Sequence, residues 1–192
     1  MLYPIEIKTP ENLISESDFL ELCINNPDIN FERNADKSIV IMAPTFSETG
    51  RFNVKLITQV EFWNNRNSDP GYVFDSNTGF TLPNGAVRSP DVSWIEKSRY
   101  DSLPNAERYK FACICPDFVI ELKSLSDSVA QLRSKMDEYK ANGCRLGFLI
   151  DPEARQVHIF YNDKESVKSF PDEISGHDVL PGFILDLTIF DK

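Results

Sequence analysis

Residues 117 to 123 read DFVIELK, and the segments around them decide the class of fold. Phe118, Ile120 and Leu122 alternate with Asp117, Val119, Glu121 and Lys123, which is the period of two of a strand with two unlike faces. Ser128 and Gln131 then fit a helix-capping box, and Gly143 fits the position just past a helix end. Between them Val129, Leu132, Met136 and Tyr139 recur at helical spacing. RLGFLID (145–151) and QVHIFY (156–161) are strand-like again. Strands on both sides of a helix at 128–142 predict an α/β (α+β) fold, a mixed β-sheet flanked by helices.

The rest of the chain is consistent with that. Ser15 to Asn25 reads as a short helix with Phe19, Leu22 and Cys23 on one face. Runs at 29–33 and 38–42 flank the turn signal NADK and predict a hairpin. Thr45 and Glu48 fit a capping box, and Phe52, Leu56, Val60 and Trp63 continue a helix to about residue 67, where NSDPG ends it. Residues 72–95 read as strands with turns, one at Asn84-Gly85, a pair that tolerates positive φ. Pro104 to Lys110 reads as a helical turn, and VLPGFILDLTIF near the end as a strand or extended segment.

A chain of 192 residues, 41% hydrophobic, predicts one domain spanning 1–192. It has no apolar run of about 18 residues and no signal-peptide pattern at MLYPIEIKTPENL, which points to a soluble, cytoplasmic protein with no membrane partner.

Several chemistries find no support. Cys23, Cys113, Cys115 and Cys144 include a C-x-C pair, not the paired C-x-x-C of a zinc site, and are read as buried free thiols. The only histidines are His158 and His177, and no nucleophile motif accompanies them. The net charge of -10 argues against general nucleic-acid affinity. The charge is uneven, however: residues 83–145 hold 10 Lys or Arg and 9 Asp or Glu. Arg88, Lys97, Arg99, Lys110 and Arg133 are the candidate phosphate contacts in that stretch, and the acidic flanks are expected to lie away from the cleft.

The polar face of 117–123 has a bland explanation, a half-buried strand showing water its polar side. The sharper one needs a partner, and RSPDVSWI (88–95) supplies it by placing Asp91 on another predicted strand, directly after a proline. Two facing carboxylates repel and require a cation, and oxygen ligands suit Mg2+ or Mn2+. Lys123, two residues along the face of Glu121, could position a water or stabilise charge on a phosphate.

The order SPD, then IELKS about 30 residues later, resembles the PD-(D/E)-x-K phosphodiesterase superfamily with its restriction-endonuclease-like fold. More narrowly, APTFSETGRFN, FDSNTGFTLPNGAVRSPDVSWI, CPDFVIELKSLSDS, KMDEYKANGCRLGFLIDP and VLPGFILDL resemble the Uma-type restriction-endonuclease family. The resemblance implies a metal-dependent nuclease acting on nucleic acid, DNA first, with Asp91 and Glu121 on the metal and Lys123 as the catalytic lysine. The carbonyl of Leu122 could add a ligand. Glu48 matches the family's acidic residue on the first helix and is equally explained as a helix cap. Gln131, Lys135 and Tyr139 lie where related nucleases carry a Gln-x-x-x-Tyr pair near the phosphate, here altered to Lys135 and Tyr139. Tyr139 can instead pack in the core and Lys135 be solvated. Arg88 flanks the cleft, as do Ser89 and Asp75, while Asp117 belongs at the strand's start, outside the metal sphere. One compact domain would need a partner to cut both strands, so a homodimer is expected. The rival is a non-catalytic nucleic-acid-binding or protein-interaction module that keeps the fold.

Overall fold

The computed structural model describes residues 4–8, 14–170 and 173–191. In chain order they form β1 (Ile5–Ile7), α1 (Glu16–Asn25), β2 (Phe31–Arg33), β3 (Ile39–Ile41), α2 (Ser47–Arg66), β4 (Gly71–Asp75), β5 (Phe80–Thr81), β6 (Val87–Arg88), β7 (Val92–Glu96), α3 (Lys97–Asp101), a 3-10 turn (Asn105–Tyr109), β8 (Phe118–Leu122), α4 (Val129–Ala141), β9 (Leu146–Asp151), β10 (Gln156–Tyr161), β11 (Lys164–Ser169), β12 (Ile174–Ser175), β13 (Ile184–Leu185) and a 3-10 turn (Leu187–Phe190). A six-stranded sheet has the order β11-β10-β9-β8-β7-β4. Only β8 and β9 run parallel, with α4 as the crossover between them, so the sheet is mixed. A second sheet, β1-β3-β2-β6-β5, is built from the N-terminal half.

Strand β8 sorts its side chains between two cores. Phe118, Ile120 and Leu122 pack with Leu56, Val60 and Trp63 of α2. Val119 packs on the other side with Met136 and Tyr139 of α4. Burying each such large apolar side chain stabilises the fold by about 1.5–3 kcal/mol. Period two therefore sends Glu121 toward α4 and into a largely apolar layer, with only 4% of its surface exposed. Helix α4 can approach closely because Gly147 on β9 has no Cβ; one added there would lie 2.2 Å from the Met136 Cε. Gly143, at φ +104°, turns the chain out of α4 as expected.

Several local expectations are corrected. Helix α2 starts without the Thr45–Glu48 box: its N-cap is Phe46, with no side-chain cap. Ser128 is the N-cap of α4 but makes no side-chain cap either. The box that does form joins Ser15 and Asp18 at α1. The turn expected at Asn84-Gly85 does form, between β5 and β6 with Gly85 at φ +84°, closed by Leu82 N–H to the Ala86 carbonyl and Gly85 N–H to the Leu82 carbonyl. Strand β11, whose side chains are all exposed, carries no buried face to betray it in the sequence. The strand expected in the tail is present but short, Ile184–Leu185, and is followed by a 3-10 turn. All four cysteines are free, but only Cys115 is buried; Cys23 and Cys144 are half-buried and Cys113 is exposed. No described helix is long and apolar enough to cross a membrane.

Candidate active site

Asp91 immediately precedes β7. The last residue pair of β7 with β8 is Val92 with Ile120, so one more step of the antiparallel register sets Asp91 opposite Glu121. Pro90 has no N–H to continue a ladder, and the Asp91 carboxylate takes up a bond beyond the last pair: its Oδ2 accepts the Leu122 N–H at 2.7 Å. Its Oδ1 accepts from the Asn53 Nδ2 of α2 at 2.8 Å. That contact orients the Asn53 amide, and its buried Oδ1 has no hydrogen-bond partner.

Glu121 meets α4. Its Oε1 accepts from the Tyr139 hydroxyl at 3.0 Å and lies 2.9 Å from the Lys135 Nζ. The same ammonium lies 2.9 Å from the Oε1 of Glu32, on β2 of the other sheet. Glu32 also accepts the Ser89 N–H at 2.9 Å and faces Arg88 Nη1 at 3.4 Å. Arg88 is held by Glu138 at 2.6 Å and by the Asn34 Oδ1 at 2.8 Å.

The electrostatics follow from this crowding. Burial pushes the Glu121 carboxyl up to about 7, with Lys135 opposing the shift and Asp91 and Glu32 adding to it. Burial also raises Asp91, against the pull of the Leu122 N–H and Lys135. Glu32 is held below the ordinary carboxylate range, because Lys135 and Arg88 overcome its burial. Burial would depress Lys135, but Glu121 and Glu32 raise it, so it stays charged.

These groups lie in an open groove of about 910 Å³. Six carboxylates line it (Glu6, Glu32, Asp91, Glu121, Asp127 and Glu138), against the cations Arg88 and Lys135. The acidic N-terminal flank thus reaches the cleft, contrary to expectation. Arg99 instead pairs with Asp117, Lys110 with Glu107, and Arg133 with Glu165. Lys97 is exposed at the start of α3.

Asp91, Glu121, Arg88, Gln131, Lys135 and Tyr139 are brought together. Gln131 and Ser89 line the groove, and Tyr139 is both a core residue and a ligand of Glu121. Two expected members sit elsewhere. The Lys123 Nζ lies 3.2 Å from Glu153, because β8 ends at Leu122 and the side chain leans toward the turn between β9 and β10. Glu48 is bound through both carboxylate oxygens by Arg51, one turn along α2. Asp75 holds its own turn through Thr78 and Asn77, and Asp117 is buried at the far end of β8. Glu32 and Asn53 were missed: one sits in a three-residue strand and the other is a polar residue on an amphipathic helix. The only hint was that Asn53 stands between Phe52 and Val54; Glu32, between Phe31 and Arg33, gave none.

The profile of the family described as "Uma2: Putative restriction endonuclease" matches residues 16–188. The chain belongs to the Uma2 family. Among solved structures it is similar to the crystal structure of "a putative nuclease belonging to DUF820" from Anabaena variabilis ATCC 29413, with a TM-score of 0.70 at 18% identity, covering 83% of this chain and 88% of that one. No protein of curated function matches. At that identity the structural likeness carries the fold, and the site of this Uma2 protein rests on its own geometry.

Among the described residues no group of three or more His, Cys, Asp or Glu side chains is arranged to hold a metal. A Mg2+ site asks for less, one or two carboxylates completed by waters and phosphate oxygens. Asp91 and Glu121 are two such carboxylates, and the partnerless Oδ1 of Asn53, whose Nδ2 meets Asp91, is a further hard oxygen nearby.

Proposed function

We propose that this Uma2 protein hydrolyses phosphodiester bonds of nucleic acid, DNA first, with Mg2+ or Mn2+ held by Asp91 and Glu121. One observation carries the reading: two adjacent carboxylates at the end of a sheet, both pushed toward protonation by burial, with a charged lysine 2.9 Å from one of them. A divalent ion, when bound, supplies Lewis-acid polarisation of the phosphate and a more acidic water. The chain supplies the rest. Asn53 and the Leu122 N–H orient Asp91, and Tyr139 orients Glu121. Lys135 presents a fixed ammonium where charge grows on the phosphate, the role expected of Lys123. A homodimer would bring two grooves to the two strands of a duplex.

The excess of carboxylates along the groove favours a second reading, a module that keeps the fold without turnover. Supercoiled-plasmid nicking with Mg2+ or Mn2+ separates the two. Nicking that is lost in EDTA and in Asp91→Asn and Glu121→Gln supports the first. A wild type that cuts neither DNA nor RNA with either ion supports the second.

A further inference from the structure

We propose that Glu32 is a positioning residue for Lys135, holding its ammonium on Glu121; this rests on the phosphodiesterase reading above. The lysine reaches the site from α4 on a flexible four-carbon stem, whose many rotamers would leave the charge poorly placed. Two carboxylates clamp it, Glu32 and Glu121, each at 2.9 Å. Glu121 alone is a poor anchor, because an ion it helps to hold competes for the same oxygens. Glu32 is the anchor that remains.

Its own position is fixed on several sides. The Oε1 that meets Lys135 also accepts the Ser89 N–H, and Oε2 faces Arg88. Ser89 lies two residues before Asp91, so Glu32 ties the lysine to the loop that carries the carboxylate of β7. Glu138, one turn from Lys135 on α4, grips Arg88 and closes the ring. The buried clamp crosses from the five-stranded sheet to the six-stranded one. Burying charges this way is a poor route to stability, since apolar residues of similar volume often serve as well. A precisely held charge is what such a network provides.

The test is a double-mutant cycle of Glu32→Gln and Lys135→Met, read by plasmid nicking, with acetylation of lysines by acetic anhydride followed by mass spectrometry on the protein without substrate or metal. Glu32→Gln should lower kcat about 10- to 100-fold, as loss of an orienting partner does, and leave KM unchanged. That loss should vanish in the Lys135→Met background. Acetylation of Lys135 should rise severalfold, with Lys140 as the internal reference. Equal losses in both backgrounds would overturn the proposal, as would unchanged Lys135 acetylation in folded Glu32→Gln. Should Glu32→Gln melt early, Glu32→Asp keeps the charge but shortens its reach, and the same readouts apply. A wild type that fails to nick counts against the phosphodiesterase reading alone, and acetylation then decides the role of Glu32.

Discussion

Replacing Lys135 by Met keeps the apolar stem and removes the charge. Both carboxylates then lose an ammonium at 2.9 Å. Glu32 keeps the Ser89 N–H and Arg88, whereas Glu121 keeps only the Tyr139 hydroxyl among the contacts described above. Removing one partner of a fully buried pair costs about 3–5 kcal/mol. Here the cost should be lower, about 1–3 kcal/mol, because the Lys135 side chain is 15% exposed and Glu121, already near 7, can escape by taking up a proton. The rate should suffer more: a lost charged stabiliser of the transition state costs roughly a hundredfold to a thousandfold. Lys123→Met is the control. The Lys123 stem is buried, with 11% of the side chain exposed, and Met keeps that packing; the ammonium meets Glu153, which is 70% exposed, and an ion pair with so exposed a partner is worth about 1 kcal/mol or less. Nicking of supercoiled plasmid with Mn2+ at pH 8, with thermal melts on both variants, should show Lys135→Met nearly inactive but folded and Lys123→Met close to wild type. The reverse order would refute the reasoning and return the catalytic role to the lysine of the E-x-K strand.

Three further outcomes follow from particular contacts. Glu121 has a folded pKa of about 7 against an ordinary 4.5, so between those values the unfolded chain ionises while the folded one does not; stability should fall as pH rises through that window and level off above it. Mn2+, which needs the ionised carboxylate, should therefore raise Tm more at pH 8 than at pH 5.5, and an equal gain at both would contradict this. Asn53→Ala removes the side-chain donor that orients Asp91 and should lower nicking about 10- to 100-fold with little change in Tm; unaltered nicking would remove Asn53 from the site. Gly71→Ala would put a Cβ 2.3 Å from the Ile95 carbonyl oxygen and 2.4 Å from the Trp94 ring, and should destabilise by about 1–3 kcal/mol or more; a wild-type melt would show that β4 and β7 can move apart.

Local pattern alone marked the strand at 117–123, found at Phe118–Leu122, and the helix that ends before Gly143, whereas Asp91 and Glu121 were joined as a candidate pair by the family resemblance and are set opposite each other by the β7–β8 register. The first two depend on neighbours in sequence: period two, and a glycine at positive φ. The choice of lysine was decided by tertiary structure. Alternation fixes a side chain's direction only while the strand lasts. Since β8 stops at Leu122, Lys123 swings to Glu153, while the packing of α4 over Gly147 delivers Lys135 to Glu121. The spacing of Gln131, Lys135 and Tyr139 marked one helix face, but not what that face would meet. Glu32 and Asn53 reach the site from another sheet and another helix, across separations of 103 residues to Lys135's Nζ and 38 to Asp91. No local rule spans such distances, because these contacts form only when the buried layers close and each desolvated charge must find a partner.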